Sequence, residues 1–192
     1  MTDGLFQPGN CLPGSVLCPL LTADLTGIGG SLSSRPEDFI VDEVPAYEPD
    51  GSGDHWFVRV RKRGLSTTAM CRIMGQAANV QSRDIGVAGR KDEQAITTQW
   101  ISLPTEPVEP EDERIEVLEA HRHRHKLRRG HLKANRFRIR IEGIRPDAAE
   151  HLPTLLDAIK QGVPNYFGAQ RFGFEGSSLR KAQGFLFKPR RR

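Results

Sequence analysis

The residues best suited to chemistry lie in Gly89-Arg-Lys-Asp-Glu-Gln-Ala95. A glycine closes a short apolar run, two cations precede an aspartate, and a new β-like run begins at once. That order predicts a tight loop between sheet strands, where a rigid scaffold can aim the Asp92 carboxylate. Arg90 and Lys91 on its flank are expected to keep it ionised, as a nucleophile or base requires. Taken alone, the same residues also make an ordinary charged turn. A second group runs from His121 to Arg140, with nine Lys or Arg, four His and no acid. Arg128, Arg129 and Lys133 are placed to neutralise phosphates. Asn135 and Phe137 interrupt the cations two residues apart, so on a strand they share a face. An amide can read a base edge and a ring can stack on it, although Phe137 taken alone suits a core better. A third group is Pro164-Asn-Tyr-Phe-Gly-Ala-Gln-Arg-Phe-Gly173, where Arg171 can meet a phosphate and the rings can stack, or the turn can pack on the core. Phe39, after two acids, and His55, beside Trp56, are weaker candidates. The chain has no Gly-x-Ser-x-Gly elbow and no Gly-rich phosphate loop followed by Lys-Ser/Thr.

The surrounding charge fits a polyanion partner for one face. Arg180 to Arg192 holds six Lys or Arg and no acid, whereas Glu106 to Glu119 holds seven acids and one Arg. The net charge of +4 says little beside this segregation. Of 192 residues, 37% are hydrophobic and 27% charged, which predicts a folded, soluble chain of about one domain. Cys11, Cys18 and Cys71 are too few and too scattered for a disulfide framework or a zinc site, and read as free thiols in a reducing cytoplasm. No apolar run approaches the roughly 20 residues that span a bilayer, and the N-terminus lacks a basic signal-peptide region. The expected location is therefore cytoplasmic, without membrane or metal.

The positioning elements follow from periodicity. Residues 1–30 read as an irregular lead-in with at most one short strand. Phe39–Val44 reads as an edge strand stopped by Pro45. His55–Arg61 alternates, with Trp56, Val58 and Val60 on one face, and is expected to form a β-hairpin with the preceding strand across the turn Pro49–Gly53. Ser66 caps a helix to about Ala78 whose Ala69, Ile73 and Ala77 share a face. Strands are predicted at Ile85–Ala88, Ala95–Leu103, Ile115–Ala120 and Phe137–Ile141, with a solvated loop over 104–113. Asp147 caps a helix through Lys160 that Gly162 ends. More strands than helices, joined by short turns, predict an α+β fold with a mostly antiparallel sheet flanked by helices.

In this order the segments resemble the TruD family of tRNA pseudouridine synthases. Pro36-Glu-Asp-Phe-Ile-Val41, Glu48-Pro-Asp-Gly-Ser-Gly-Asp-His55, Ala88 to Trp100, His125 to Phe137 and Val163 to Gly173 each resemble a family motif, and together they span about Ser31 to Gln183. The resemblance implies a pseudouridine synthase catalytic fold over residues 31–183, followed by a basic tail at 184–192. It implies that Asp92 is the catalytic aspartate, that Phe39 and Asn135 contact the target uridine, and that Phe137 stacks nearby. Lys91 and Arg171 join these as substrate-binding candidates, with Arg128, Arg129 and Lys133 on the RNA backbone. The implied reaction converts uridine 13 of tRNA to pseudouridine by base flipping, without cofactor or metal. Family members also carry an inserted domain and a returning segment that this chain lacks, which makes the implied fold incomplete. The chain is then expected to be part of a longer product, to need a complementing C-terminal segment, or to be an inactive RNA-binding remnant.

Overall fold

A computed structural model describes residues 20–165 and 177–186. The chain divides into two compact units, one comprising Gly30–Ile144 and the other the described residues on either side. The first holds a six-stranded sheet built from β2 (Phe39–Pro45), β3 (His55–Arg63), β4 (Gly86–Val87), β5 (Ile96–Leu103), β6 (Ile115–His123) and β7 (Leu132–Ile139). Its main path runs β6-β3-β5-β2-β7, and β4 adds to β5. Only the β2–β5 pair is parallel; the other pairings in this sheet are antiparallel. Strands β1 (Gly29–Leu32) and β8 (Ile141–Ile144) form a separate two-stranded sheet.

Two expectations about β2 are corrected. It is an interior strand between β5 and β7, not an edge. Pro45 is tolerated because it stands at the strand's last position, where the register with β7 shifts and no further ladder donor is required. Nor do β2 and β3 form a hairpin, because β5 lies between them. The turn at 49–53 instead folds back on β6: the Gly51 N–H donates to the Arg122 carbonyl at 3.0 Å, and Asp50 takes Arg124 at 2.5 Å.

Helix α1 (Thr67–Ala77) is capped as its sequence predicts, with the Ser66 hydroxyl accepting the Ala69 N–H at 3.1 Å. Its buried residues are Thr67, Met70, Cys71, Met74 and Gly75; Ala69 and Ile73 only flank the core. The long, unbranched methionines fill the space over the sheet that an Ala stripe would leave empty. They pack on Val58, Val60, Ile101 and Leu103. Gly75 closes the helix end, since a Cβ there would lie 2.5 Å from the Val80 carbonyl. The opposite sheet face carries a second cluster of Phe57, Ala88, Trp100 and Leu127. Both faces of β3 are therefore covered, where alternation alone predicts one. Cys71 is a free thiol whose pKa burial pushes up to about 11, which makes it unreactive.

In the other unit, α2 (Ala148–Lys160) begins after Asp147 as expected, but the Asp147 carboxylate does not cap it. It takes Arg145 at 2.8 and 2.9 Å and His151 at 3.2 Å. Helix α3 spans Ser177–Leu186 and so includes the first residues of the expected basic tail. Cys11, Cys18, Arg171 and most of the 164–173 motif lie outside the described residues.

Candidate nucleic-acid site

The loop from Gly89 to Ala95 runs from β4 into β5 and is anchored from beneath. Lys91 turns inward, and its Nζ forms an ion pair with Glu43 on β2; the two side chains are 4% and 0% exposed. The other Glu43 oxygen accepts the Trp100 N–H at 3.1 Å. The Lys91 N–H donates to the Thr67 hydroxyl at 2.9 Å, and that hydroxyl donates to Gln99 Oε1 at 3.2 Å. From β3, Lys62 Nζ donates to the Asp92 carbonyl at 2.7 Å. Thus α1, β3 and, through Gln99 Nε2 to the Gly89 carbonyl at 3.5 Å, β5 hold the loop backbone, and β2 holds the Lys91 side chain, while Asp92 stands exposed. A buried ion pair is expensive to desolvate, and removing one partner costs about 3–5 kcal/mol. The Glu43–Lys91 pair therefore fixes the loop where it is, whatever its net contribution to stability.

This geometry corrects the expected role of Lys91. Its ammonium is directed at Glu43, because Glu43 lies under the loop, so it is not the cation flanking the Asp92 carboxylate. Arg90 is exposed. The buried cation against Asp92 is Lys62, which the sequence reading missed. The signal was present in the alternation of β3: Trp56, Val58 and Val60 point to the α1 face, and two residues further Lys62 must follow. Desolvation pulls its pKa down to about 8; Asp92 and Glu93 oppose that shift and Lys91 adds to it.

The strand register assembles the second part of the site. Phe39, Val41 and Glu43 face one side of β2, and directly opposite them on β7 are Ile139, Phe137 and Asn135. The rings of Phe39 and Phe137 meet edge to face, with centroids 6.2 Å apart and planes at 81°. Phe137 remains 54% exposed, and Asn135 is also exposed. Val41 lies opposite Thr97, and Thr97 opposite Lys62, so this is the face that carries the Asp92 loop. Residues distant in sequence are thereby brought to one face: an open carboxylate, an aromatic pair and an amide.

The third part is the turn that carries Arg128 and Arg129, both exposed. The Gly130 N–H donates to the Ala88 carbonyl at 2.8 Å, immediately before the Asp92 loop. The Leu127 N–H donates to the Ser102 hydroxyl at 2.8 Å. A Cβ on Gly86 would lie 2.3 Å from the Leu127 carbonyl, so only glycine lets the basic turn approach β4 this closely. Exposed Lys133 is the extra residue of β7 where its register with β2 shifts.

The rest of the basic stretch does not act as one surface. Arg136 and Arg138 point to the other sheet face. His123 is buried, stacked on Tyr47 at 5.4 Å, and desolvation lowers its pKa. Tyr47 also meets His131 Nδ1 at 2.7 Å. With Asp50, His55 and Arg124 these residues line a cleft of about 800 Å3. His123 and His131 thus serve packing as much as any ligand, whereas His121 and His125 are exposed. Among the described residues no three His, Cys, Asp or Glu side chains are grouped to hold a metal.

A carboxylate on a gripped loop, an aromatic pair, an exposed amide and paired guanidinium groups suit a splayed nucleotide better than any small apolar ligand. A family model described as tRNA pseudouridine synthase D (TruD) matches residues 16–180. A tRNA pseudouridine synthase D from Anaeromyxobacter sp. (strain Fw109-5) is 46% identical over 172 residues, covering 88% of this chain and 49% of that protein. Its counterpart from Geotalea daltonii is 46% identical over 167 residues, covering 83% and 42%. A crystal structure of the putative tRNA pseudouridine synthase D from Methanosarcina mazei superposes with a TM-score of 0.70 at 36% identity, over 81% of this chain and 38% of that one. The chain spans about half the length of the curated relatives it matches.

Proposed function

The chain belongs to the TruD family of tRNA pseudouridine synthases, and from that premise we propose that it takes part in converting uridine to pseudouridine in tRNA, at uridine 13, with Asp92 as the catalytic carboxylate. The observation that carries this reading is the shared sheet face: the Asp92 loop and the Phe39–Phe137–Asn135 group lie on it, with the Arg128–Arg129 turn bonded to the residue before the loop.

A uridine in folded RNA must leave its stack before the glycosidic bond can be reached, which costs a few kcal/mol. Stacking on an aromatic side chain returns about 1–3 kcal/mol per base. Phe137, more than half exposed, supplies that surface, and Phe39 holds its ring edge-on. Asn135 reads the base edge, and Arg128, Arg129 and Lys133 take the backbone. The Asp92 carboxylate then assists glycosidic cleavage, either by attacking sugar or base, its adduct being expelled again, or by removing a sugar proton that is later returned; the uracil turns while bound, the C1′–N1 bond is exchanged for C1′–C5, and the C5 proton is lost as N1 takes one up. No cofactor enters this scheme. The same reading places the chain in the cytoplasm.

The test is to map pseudouridine in unmodified tRNA treated with the purified chain, beside a tRNA carrying cytidine at position 13. Modification confined to position 13 of the first RNA supports the reading, and modification elsewhere or of both RNAs argues against it. One observation favours a second reading, RNA binding without turnover: among the described residues nothing covers Phe137 and Ile139 of β7, which are 54% and 41% exposed. Tight tRNA binding with no product would select it.

A further inference from the structure

We infer that Lys62 is the positioning residue of the Asp92 site: its buried ammonium clamps the Asp92 carbonyl and so holds the loop that presents the carboxylate to RNA. This rests on the catalytic reading of Asp92 given above. Lys62 is fully buried (0% exposed), a rare place for a lysine. No carboxylate forms an ion pair with it among the described residues; its single hydrogen bond there is the 2.7 Å contact to the Asp92 carbonyl. Its strand neighbours are Thr97 on β5 and Ile115 on β6, neither of them charged. The charged groups near it are Asp92 and Glu93, which favour the ammonium, and Lys91, which disfavours it. Lys91 is in turn neutralised by Glu43.

A core position occupied by an unpaired cation is a poor stability choice, since an apolar chain of similar length would avoid its desolvation. What the cation does make is one bond, to the backbone of the residue that carries the chemistry. It also places a positive charge behind the Asp92 carboxylate, on the side away from solvent. A shift of the carboxylate by about 1 Å is enough to cost roughly 100-fold in rate. Lys91 and Thr67 hold the start of the loop, and Lys62 alone among these contacts reaches Asp92 itself.

The experiment follows the Asp92 carbonyl by 13C NMR from pH 6 to 10 in the wild-type chain, with Lys62→Met and Lys62→Arg alongside. In wild type the carbonyl resonance is expected to titrate with a midpoint near that of the Lys62 ammonium, about 8. The transition is expected to vanish in both variants, because Met has no charge and Arg does not titrate in this range. Turnover on tRNA is expected to fall about 100-fold in Lys62→Met with little change in KM. Lys62→Arg is expected to restore part of that loss and to flatten the alkaline side of the pH profile. A wild-type Asp92 carbonyl that stays flat while Lys62 titrates would overturn the proposal, as would Lys62→Met turnover within twofold of wild type. The spectroscopic arm needs no turnover. A chain without activity that shows the coupled titration would refute the catalytic reading and leave the clamp standing.

Discussion

Lys62 makes its own prediction about stability. Its pKa in the fold, about 8, lies below the ordinary 10.5. Between these values the unfolded chain keeps a proton that the folded chain has released. Stability through this group is therefore depressed below pH 8 and rises as pH climbs toward 10.5. Denaturant unfolding at pH 7.5 and 9.5 should show this rise in wild type and a smaller one in Lys62→Met. Phe137 yields a second residue-scale expectation. Its ring is more than half exposed, so Phe137→Ala should leave the melting temperature nearly unchanged. The lost stacking should nonetheless cost about 1–3 kcal/mol of RNA affinity, read by fluorescence anisotropy with tRNA. A Phe137 that serves the core would give the reverse pattern. At this scale Asp92, Phe39, Asn135 and Phe137 could be picked out from sequence because ordered motifs marked them. Lys62 and Glu43 could have been found by counting in twos along β3 and β2, but their charge argued for solvent.

At the scale of elements, the Glu43–Lys91 pair joins β2 to the Asp92 loop and so links the two halves of the candidate site. Glu43→Ala leaves a buried ammonium unpaired and should destabilise the chain by about 3–5 kcal/mol in urea unfolding. Replacing both partners together, Glu43→Leu with Lys91→Met, should recover most of that loss while still loosening the loop. A double variant no more stable than the single one would mean the pair contributes more than its mutual neutralisation. Most strands were legible from alternation and turn residues, and α1 was legible from Ser66 and its apolar spacing. The position of β2 was not, because Pro45 looked like an edge signal and the strand inserted beside it, β5, comes from fifty residues later. Pairing between strands distant in sequence leaves no local trace. The buried face of α1 was misjudged for a related reason: Met70 and Met74 are chosen by the shape of the sheet they cover, which the helix alone does not reveal.

At the scale of the whole chain, the division between a basic stretch and an acidic segment points to a polyanion, and the relatives that the chain matches in part are tRNA pseudouridine synthases by name. The structure redistributes that charge. Part of it is spent on packing around Tyr47, and part, Arg128 and Arg129, stands exposed on a turn bonded to the residue before the Asp92 loop. Neutralising Arg128 and Arg129 together should weaken tRNA binding and reduce the slope of log affinity against log salt by about one per arginine. An unchanged slope would place the RNA on another surface. The central claim, that Asp92 acts on a uridine, is tested most directly by pseudouridine formation on unmodified tRNA with wild-type chain, Asp92→Asn and Asp92→Ala under single-turnover conditions. The expected result is product with wild type, none above background with either variant, and tRNA affinity within a few-fold in all three. Product formed by Asp92→Ala at a rate near wild type would contradict the account.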